Sequence, residues 1–430
     1  MRPPGNETPA IAAASDRAFE GSTTDTEVAI TSLEKSTTTL DSRKRLGRVL
    51  VVGAGFSGAV IARKLAEAGL SCLVVDERDH PAGNCHTSED AETGIMIHRY
   101  GPHIFHTDDD EIWAFVAKFG EWMPYRHSVF ATVGGEVYSL PVNLLTINQF
   151  FHSAMVPAEA EEFIKTLQPP IADPANFREQ ALSMVGERLY ETFFRHYTEK
   201  QWGVEPELLP ASILKRLPLR FSYDSNYFHH RQQAMPRDGY TAIVAAILDH
   251  RNIELRLGVA SETLTETFDH TFYSGGIDRY FGYCLGDLGY RTLRFEEVRT
   301  TGDGLGCPVM NFPDPGTPWT RMTEHRHLSP WRNHRSPISI IWKEYAQSAV
   351  RGSALFYPLR LAADERLLEA YVGLARQRPG VTFFGRLGSY AYIDMDAAIR
   401  RAIDTAAVAV RALTSGNSPP AFVHQPLGKA

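Results

Sequence analysis

The chain has little cysteine: four residues in 430, at Cys72, Cys85, Cys284 and Cys307, none in a C-x-x-C spacing. That excludes a disulfide framework and predicts reduced thiols in a cytoplasmic protein. Long apolar runs are missing too. None approaches the roughly 20 residues of a membrane span, and the longest apolar run near the start, Ala10 to Ala14, is too short for a signal core. There is no excess of positive charge. Lys and Arg number 44 against 51 Asp and Glu, a net charge of −7, which speaks against nucleic acid and against a basic membrane patch. What is present is a globular balance, 43% apolar and 22% charged, over a length that accommodates two or three domains.

The most informative stretch runs from Arg48 to Arg78. Val49-Leu50-Val51-Val52 is a short apolar run, as expected of a buried parallel strand. Gly53-Ala54-Gly55-Phe56-Ser57-Gly58 follows as a G-x-G-x-x-G, then a helical pattern over Ala59 to Ala68, then a second apolar run, Cys72 to Val75, ending in Asp76. Gly53 allows the tight turn, Gly55 the close approach of a pyrophosphate, and Gly58 the packing of helix on strand. The helix N-terminus offers free N–H groups and a partial positive charge to phosphates. Asp76, 18 residues after Gly58, stands near the spacing at which a carboxylate receives a ribose hydroxyl. This predicts a dinucleotide site without choosing between NAD and FAD.

Met1 to about Arg43 has no sustained periodicity and reads as disordered. His98, His103 and His106 are close in sequence but fit no common zinc spacing, so no metal is expected. Asp108 to Phe119 reads as a helix. Ser128 to Val133 and Glu136 to Pro141 flank Gly134-Gly135 as a hairpin. Thr146 to Glu199 is helical in pattern, Leu214 to Asn226 basic and β-like, and Gly239 to His250 an amphipathic helix. Thr271 to Gly276, Arg291 to Arg299, Pro308 to Phe312 and Val381 to Arg386 read as strands. Asp394 to Leu413 reads as a helix with Asp394 as N-cap.

Several separated motifs resemble the UDP-galactopyranose mutase family. They are Gly101-Pro102-His103-Ile104-Phe105-His106-Thr107, Tyr197 to Gly203, Asp224 to Phe228, Trp319 to His325, and Gly385-Arg386-Leu387 with Tyr390 to Met395. The resemblance covers about Val49 to Ala412. It implies an α/β fold: a Rossmann-like FAD-binding domain assembled from segments 46–124, 233–275 and 380–413. An antiparallel sheet domain would take 125–141, 212–232 and 276–379, and a helical domain 142–211. Residues 1–45 would be a disordered extension and 414–430 a tail.

It also implies an isomerase that interconverts UDP-galactopyranose and UDP-galactofuranose, supplying galactofuranose for surface polysaccharides. In the family, N5 of reduced FAD attacks the anomeric carbon and expels UDP, a flavin–sugar iminium forms, and UDP returns without net redox change. The implied partners are UDP-galactose in both ring forms, a reductant such as NAD(P)H, and a second copy of the chain in a homodimer.

The matched positions assign roles. Gly53, Gly55, Phe56, Ser57, Gly58, Asp76, Glu77, Asn84, His103, Gly385, Arg386, Asp394 and Met395 would hold FAD. The helix opened by Asp394 and Met395 would face the pyrimidine end of the flavin. His106 would lie beneath the isoalloxazine ring. Arg321 would pair with the diphosphate, and Arg216 would close over the substrate with Trp202 on the same moving region. Tyr227, Tyr357 and Tyr392 would donate hydroxyls to the phosphates. Tyr197 and Phe193, four apart and so on one helical face, would sandwich the uracil, and Asn311 would lie near the sugar. The pattern departs from the family at Ala82, Cys85-His86, Pro102, Gly276 and Arg237-Asp238. Three rival readings stand beside it: an amine-oxidase-like flavin oxidoreductase or desaturase, which would keep the first motif and lack the Arg321, Trp202 and Tyr392 constellation; a catalytically silent FAD or nucleotide-sugar binding protein, for which the changes near Asn84 and Gly276 leave room; and an NAD-dependent dehydrogenase.

Overall fold

The computed structural model describes residues 47–216 and 219–427, with the side chains of Lys215 and Arg216 outside that description. The expected extension over residues 1–45 lies outside the described residues. No described helix is long and apolar enough to cross a membrane.

Arg48–Val52 is the central strand of a five-stranded sheet. The order is Ile253–Leu257, Ser71–Asp76, Arg48–Val52, His270–Tyr273, Val381–Phe383, and every pairing is parallel. Parallel neighbours require long crossovers, so strands far apart in sequence meet here. Helices Phe56–Glu67 and Met395–Thr414 pack together and bury Val60, Ile61, Leu65, Ile399, Ala402 and Ala406 in one core. The segment after the second helix covers the edge of this sheet. The Phe383 N–H donates to the Ala421 carbonyl (2.8 Å), and Phe422 is buried.

A seven-stranded sheet lies in the middle of the chain, in the order Tyr357–Pro358, Tyr290–Thr301, Ile338–Ser348, Arg321–Glu324, Val309–Asn311, Val129–Val133, Glu136–Leu140. It was expected to be antiparallel. One pair is not: Val309–Asn311 runs parallel to Val129–Val133. The hairpin Val129–Leu140 comes from much earlier in the chain and joins at the edge, where nothing forces antiparallel entry. Its turn glycines, Gly134 (φ 58°) and Gly135 (φ 85°), both take the left-handed region that a type I′ turn demands.

The expected helical region is broken into Leu144–Phe150, Pro157–Leu167, Phe177–Leu189, a π turn over Tyr190–Arg195, and His196–Trp202. Asn143 and Asn176 cap two of these by accepting the N–H of Thr146 and Glu179, each at 3.0 Å. Gly186 (φ 75°) interrupts the third, where an added Cβ would meet the Leu167 carbonyl oxygen at 2.7 Å.

Leu214 to Asn226 is corrected. Ala211–Arg216 is a 3-10 turn, and residues 219–226 form no strand. Arg220 is 6% exposed, and its guanidinium reaches the Asp224 carboxylate (3.2 Å) and the carbonyls of Asp224 and Asn226. A buried arginine with its chain folded around it consumes the carbonyls that a ladder would need. The strand expected to run on to Arg386 stops at Phe383, and Gly385 (φ 72°) opens a short helical turn, Gly385–Gly388.

Candidate active site

The first site follows from the sheet's own geometry. The turn after Arg48–Val52 places Gly53 at φ 105°. A Cβ on Gly58 would stand 1.8 Å from the Gly53 carbonyl oxygen, so the loop closes on the helix only with glycine there. Asp76 holds the loop by accepting the Ala54 N–H (2.8 Å) and the Arg78 N–H (3.0 Å). Facing it is a second turn at Gly83, whose added Cβ would come 3.3 Å from the Gly55 Cα. Ala82 precedes that turn at φ 77°. A non-glycine in the left-handed region costs about 1 kcal/mol. Its N–H donates to the Ala54 carbonyl (2.9 Å) and its methyl is buried.

These turns border a cavity of about 250 Å³. Gly53, Gly55, Phe56, Ser57, Gly58, Asp76, Glu77, Asn84, His103, Gly385, Arg386, Asp394 and Met395 all line it. Sequence reasoning missed other wall residues, among them Arg78, Tyr273, Ser274 and Arg279. Arg279 pairs with Glu77 at 2.9 Å. Only the folded order of the strands brings those two together. Two helix N-termini open onto the cavity. One is capped by Gly55, which has no side chain to occupy the first N–H groups, and the other begins after Asp394. A pyrophosphate fits the first, and an electron-rich flavin ring fits the second. The residues present therefore suit a flavin dinucleotide. Arg386 is braced on the carbonyls of Phe356 (3.2 Å) and Ile393 (2.6 Å).

His103 and His106 part company. His103 lines the cavity, with Nδ1–H donating to the Gly101 carbonyl at 2.9 Å. Burial pushes its pKa down to about 4, against the Gly101 carbonyl, and Arg386 and Arg321 push it the same way as burial. It is a neutral imidazole between the cavity and Arg321. His106, expected beneath the flavin, is not on this wall. It sits in the strand Phe105–Thr107, stacked on Phe228 (3.9 Å between centroids), with its Nδ1 3.0 Å from His230 Nδ1. Strand alternation explains this placement: Phe105 is fully buried against Trp122, so its neighbour projects to the other side. His98 goes a third way, stacked on His325.

The second site gathers around Arg321. Its Nη2 lies 2.8 Å from Glu344 Oε1, the residue opposite it on the neighbouring strand. Burial works against the Arg321 charge, but Glu344, then Tyr197 and Tyr357, hold its pKa well above the usual arginine value. Tyr197, Tyr227 and Tyr357 all feel the Arg321 charge, yet burial raises each phenol, Tyr227 to about 12. They remain hydroxyl donors. Tyr357 and Tyr392 lie 5.7 Å apart, with the buried Trp202 at 6.1 and 5.8 Å. The Arg386 guanidinium stands 5.9 Å from the Tyr392 ring centroid, which joins the two sites.

Phe193, Tyr197, Tyr227 and Asn311 line a further cavity of about 80 Å³ whose other walls include Leu140, Met184, Val185 and Leu214. Asn311 Oδ1 is buried without a partner, an acceptor that fits a ligand hydroxyl or amide. Trp202, expected on a moving segment, ends the helix His196–Trp202 with its ring buried. The Arg216 side chain lies outside the described residues.

A parallel sheet with a glycine-rich loop, and an arginine–tyrosine cluster beside its cavity, define a Rossmann-type dinucleotide-binding protein. Residues 51–119 match the NAD(P)-binding Rossmann-like domain, and residues 192–392 match UDP-galactopyranose mutase. The chain is 47% identical over 378 residues to a probable UDP-galactopyranose mutase of Klebsiella pneumoniae, covering 87% of this chain and 97% of that one. It is 45% identical over 375 residues to a dTDP-fucopyranose mutase of Escherichia coli, covering 85% and 99%. A crystal structure of reduced UDP-galactopyranose mutase superposes with a TM-score of 0.69 at 16% identity, over 85% and 96% of the two chains. The chain belongs to the UDP-galactopyranose mutase family. That makes it an isomerase of a flavoenzyme family with a Rossmann-like dinucleotide-binding domain.

Proposed function

We propose that the protein interconverts UDP-galactopyranose and UDP-galactofuranose with FAD as resident cofactor, active in the reduced form. The observation that carries this is the junction of the two sites, where Arg386 and His103 on the cofactor cavity meet Tyr392 and Arg321 of the cleft. Reduced FAD, when bound, supplies an electron-rich nucleophile for the anomeric carbon and leaves the reaction with its redox state unchanged.

The chain's own residues do the rest. Arg321 meets the diphosphate as it is bound and as it departs, stabilising charge that grows on the leaving oxygen. Tyr197, Tyr227, Tyr357 and Tyr392 add hydroxyl donors, while Trp202 and the apolar walls exclude water. Tyr197 and Phe193 take the base, and Asn311 a hydroxyl of the ligand. Arg216 closes the cleft from the following turn. His103, neutral and held by Gly101, presents Nε2 as an acceptor without adding charge beside an anionic flavin.

A nicotinamide reductant, a homodimer and a cytoplasmic location complete the reading, the last in keeping with four unpaired cysteines. The Escherichia coli relative favours a second substrate, dTDP-fucopyranose. The test is anaerobic. Protein reduced once with dithionite is expected to turn over UDP-galactofuranose many times while its flavin absorbance stays reduced. Equal activity of the oxidised protein, or reoxidation in step with product, overturns the mechanism. A larger kcat/KM with dTDP-fucofuranose than with UDP-galactofuranose assigns the second substrate.

A further inference from the structure

Lys200 has no part in the site described so far. It lies on the helix His196–Trp202, three residues after Tyr197 and two before Trp202. Its ammonium enters a cage of main-chain carbonyls from a single loop: those of Phe312, of Asp314 and Thr317 at 2.9 Å each, and of Trp319 at 3.3 Å. Three N–H groups serve four acceptors, so one is shared. Burial pushes the group down to about 8, with the Asp314 charge opposing it. Four converging carbonyl dipoles favour the charged form further.

The loop matters because of what it joins. It runs from the strand Val309–Asn311 to the strand Arg321–Glu324, and Asn311 and Arg321 face each other across the mouth of that hairpin. Within the loop the main chain closes only a few bonds of its own, Phe312 N–H to Thr320 O (2.9 Å) and Thr317 N–H to Asp314 O (3.2 Å) among them. The helix is held from its other side. Arg291 is buried, and its guanidinium donates to the carbonyls of Gln201 (2.9 Å) and Lys200 (3.2 Å). Lys200 is thus fixed at both ends, main chain to Arg291 and side chain to the loop.

We propose that Lys200 is a positioning residue: its ammonium locks the loop 312–320 onto the helix His196–Trp202 and so sets the separation between Tyr197 and the Asn311–Arg321 pair. This rests on reading those residues as the nucleotide-sugar site. A nucleoside diphosphate sugar spans from base to diphosphate to sugar, and its gain from all three contacts together depends on their spacing. Without the ammonium, four carbonyls lose their donor. The loop relaxes, and the Arg321 fork moves with it.

The test uses flavin-loaded protein and UDP binding by calorimetry. Lys200→Met keeps the stem and removes the charge. Flavin content and spectrum are expected to match wild type, because the cage is not on the cofactor cavity. UDP affinity is expected to fall by about tenfold to a hundredfold, with KM rising more than kcat falls. Lys200→Gln keeps two N–H donors for the cage and should fall between the two. Lys200→Ala leaves the carbonyls facing a gap that potassium suits, since that ion takes carbonyl ligands. Its UDP affinity should recover when potassium chloride replaces choline chloride at equal ionic strength, with wild type unmoved. Unchanged UDP affinity in folded, flavin-loaded Lys200→Met overturns the positioning role alone. A wild-type protein that binds neither UDP nor dTDP overturns the functional reading itself.

Discussion

At the scale of single residues, Arg321 does two things that a simple truncation would confuse. In the proposed function it meets the substrate diphosphate, and in the structure it pairs with Glu344, whose side chain is 2% exposed. Arg321→Ala leaves that carboxylate buried and unpaired, a loss of roughly 3–5 kcal/mol of stability. Arg321→Lys keeps a charge beside Glu344 but gives up the planar fork that grips two phosphate oxygens. We expect Arg321→Lys to keep its flavin and most of its melting temperature while UDP affinity drops by roughly tenfold or more. Calorimetry with UDP and a melting curve separate the effects. Wild-type UDP affinity in Arg321→Lys would remove Arg321 from the diphosphate site. The separate placement of His103 on the cavity wall and His106 against Phe228 belongs to this scale too. Both are histidines in one short motif, and nothing local says which one the strand turns toward the cavity.

At the scale of elements, the helix His196–Trp202 and the turns after it behave differently. The helix is bound to the sheet through Lys200 and Arg291, and it stops at Gly203, which takes φ 69°. Beyond Gly203 come only the 3-10 turns Pro206–Leu208 and Ala211–Arg216, each held by isolated bonds such as Leu208 N–H to Glu205 O (3.0 Å). Few main-chain bonds mean that the backbone of these turns opens locally at low cost, although Leu209 and Leu214 are buried in the helical core. UDP is therefore expected to slow amide exchange over residues 204–216 and to change it little over 196–202, which is already protected. Hydrogen exchange read by mass spectrometry checks this. Strong UDP protection of 196–202, or none over 204–216, would put the moving element elsewhere. The family resemblance placed Trp202 with the moving region; in the structure its ring is buried and its helix is tied down through Lys200 and Arg291.

At the scale of the whole molecule, the interior holds neutral histidines in number. Burial pushes His86, His103 and His270 down to about 4, and His127 and His325 to about 3. The unfolded chain protonates the same rings near pH 6.5. Below that pH the unfolded state binds more protons than the folded one, so stability rises with pH across the window. The contribution is complete above about pH 6.5 and is lost as pH falls toward 4 and 3. The melting temperature of the flavin-loaded protein should hold steady from about pH 8 to 7 and fall steeply between about 6 and 4. A melting temperature flat down to about pH 4.5 would mean that these rings are charged in the fold or reach water.

What the sequence determined by itself is local. The glycine-rich loop is dictated by sterics within a dozen residues, since a Cβ at Gly58 would collide with the Gly53 carbonyl at 1.8 Å. The I′ hairpin at Gly134-Gly135 and the apolar period of the last helix are of the same kind, and each of the cofactor residues named from motifs borders one cavity. Tertiary structure decided what spans the chain. It took the folded sheets to bring Arg279 to Glu77, to set Arg386 beside Tyr392, to give Arg220 three groups to bind instead of a strand, and to close a carbonyl cage on Lys200. The reason is physical. A dihedral preference or a turn is settled by neighbours a few bonds away. The position of a buried charge is settled by whichever distant groups the packed core leaves to pair with it.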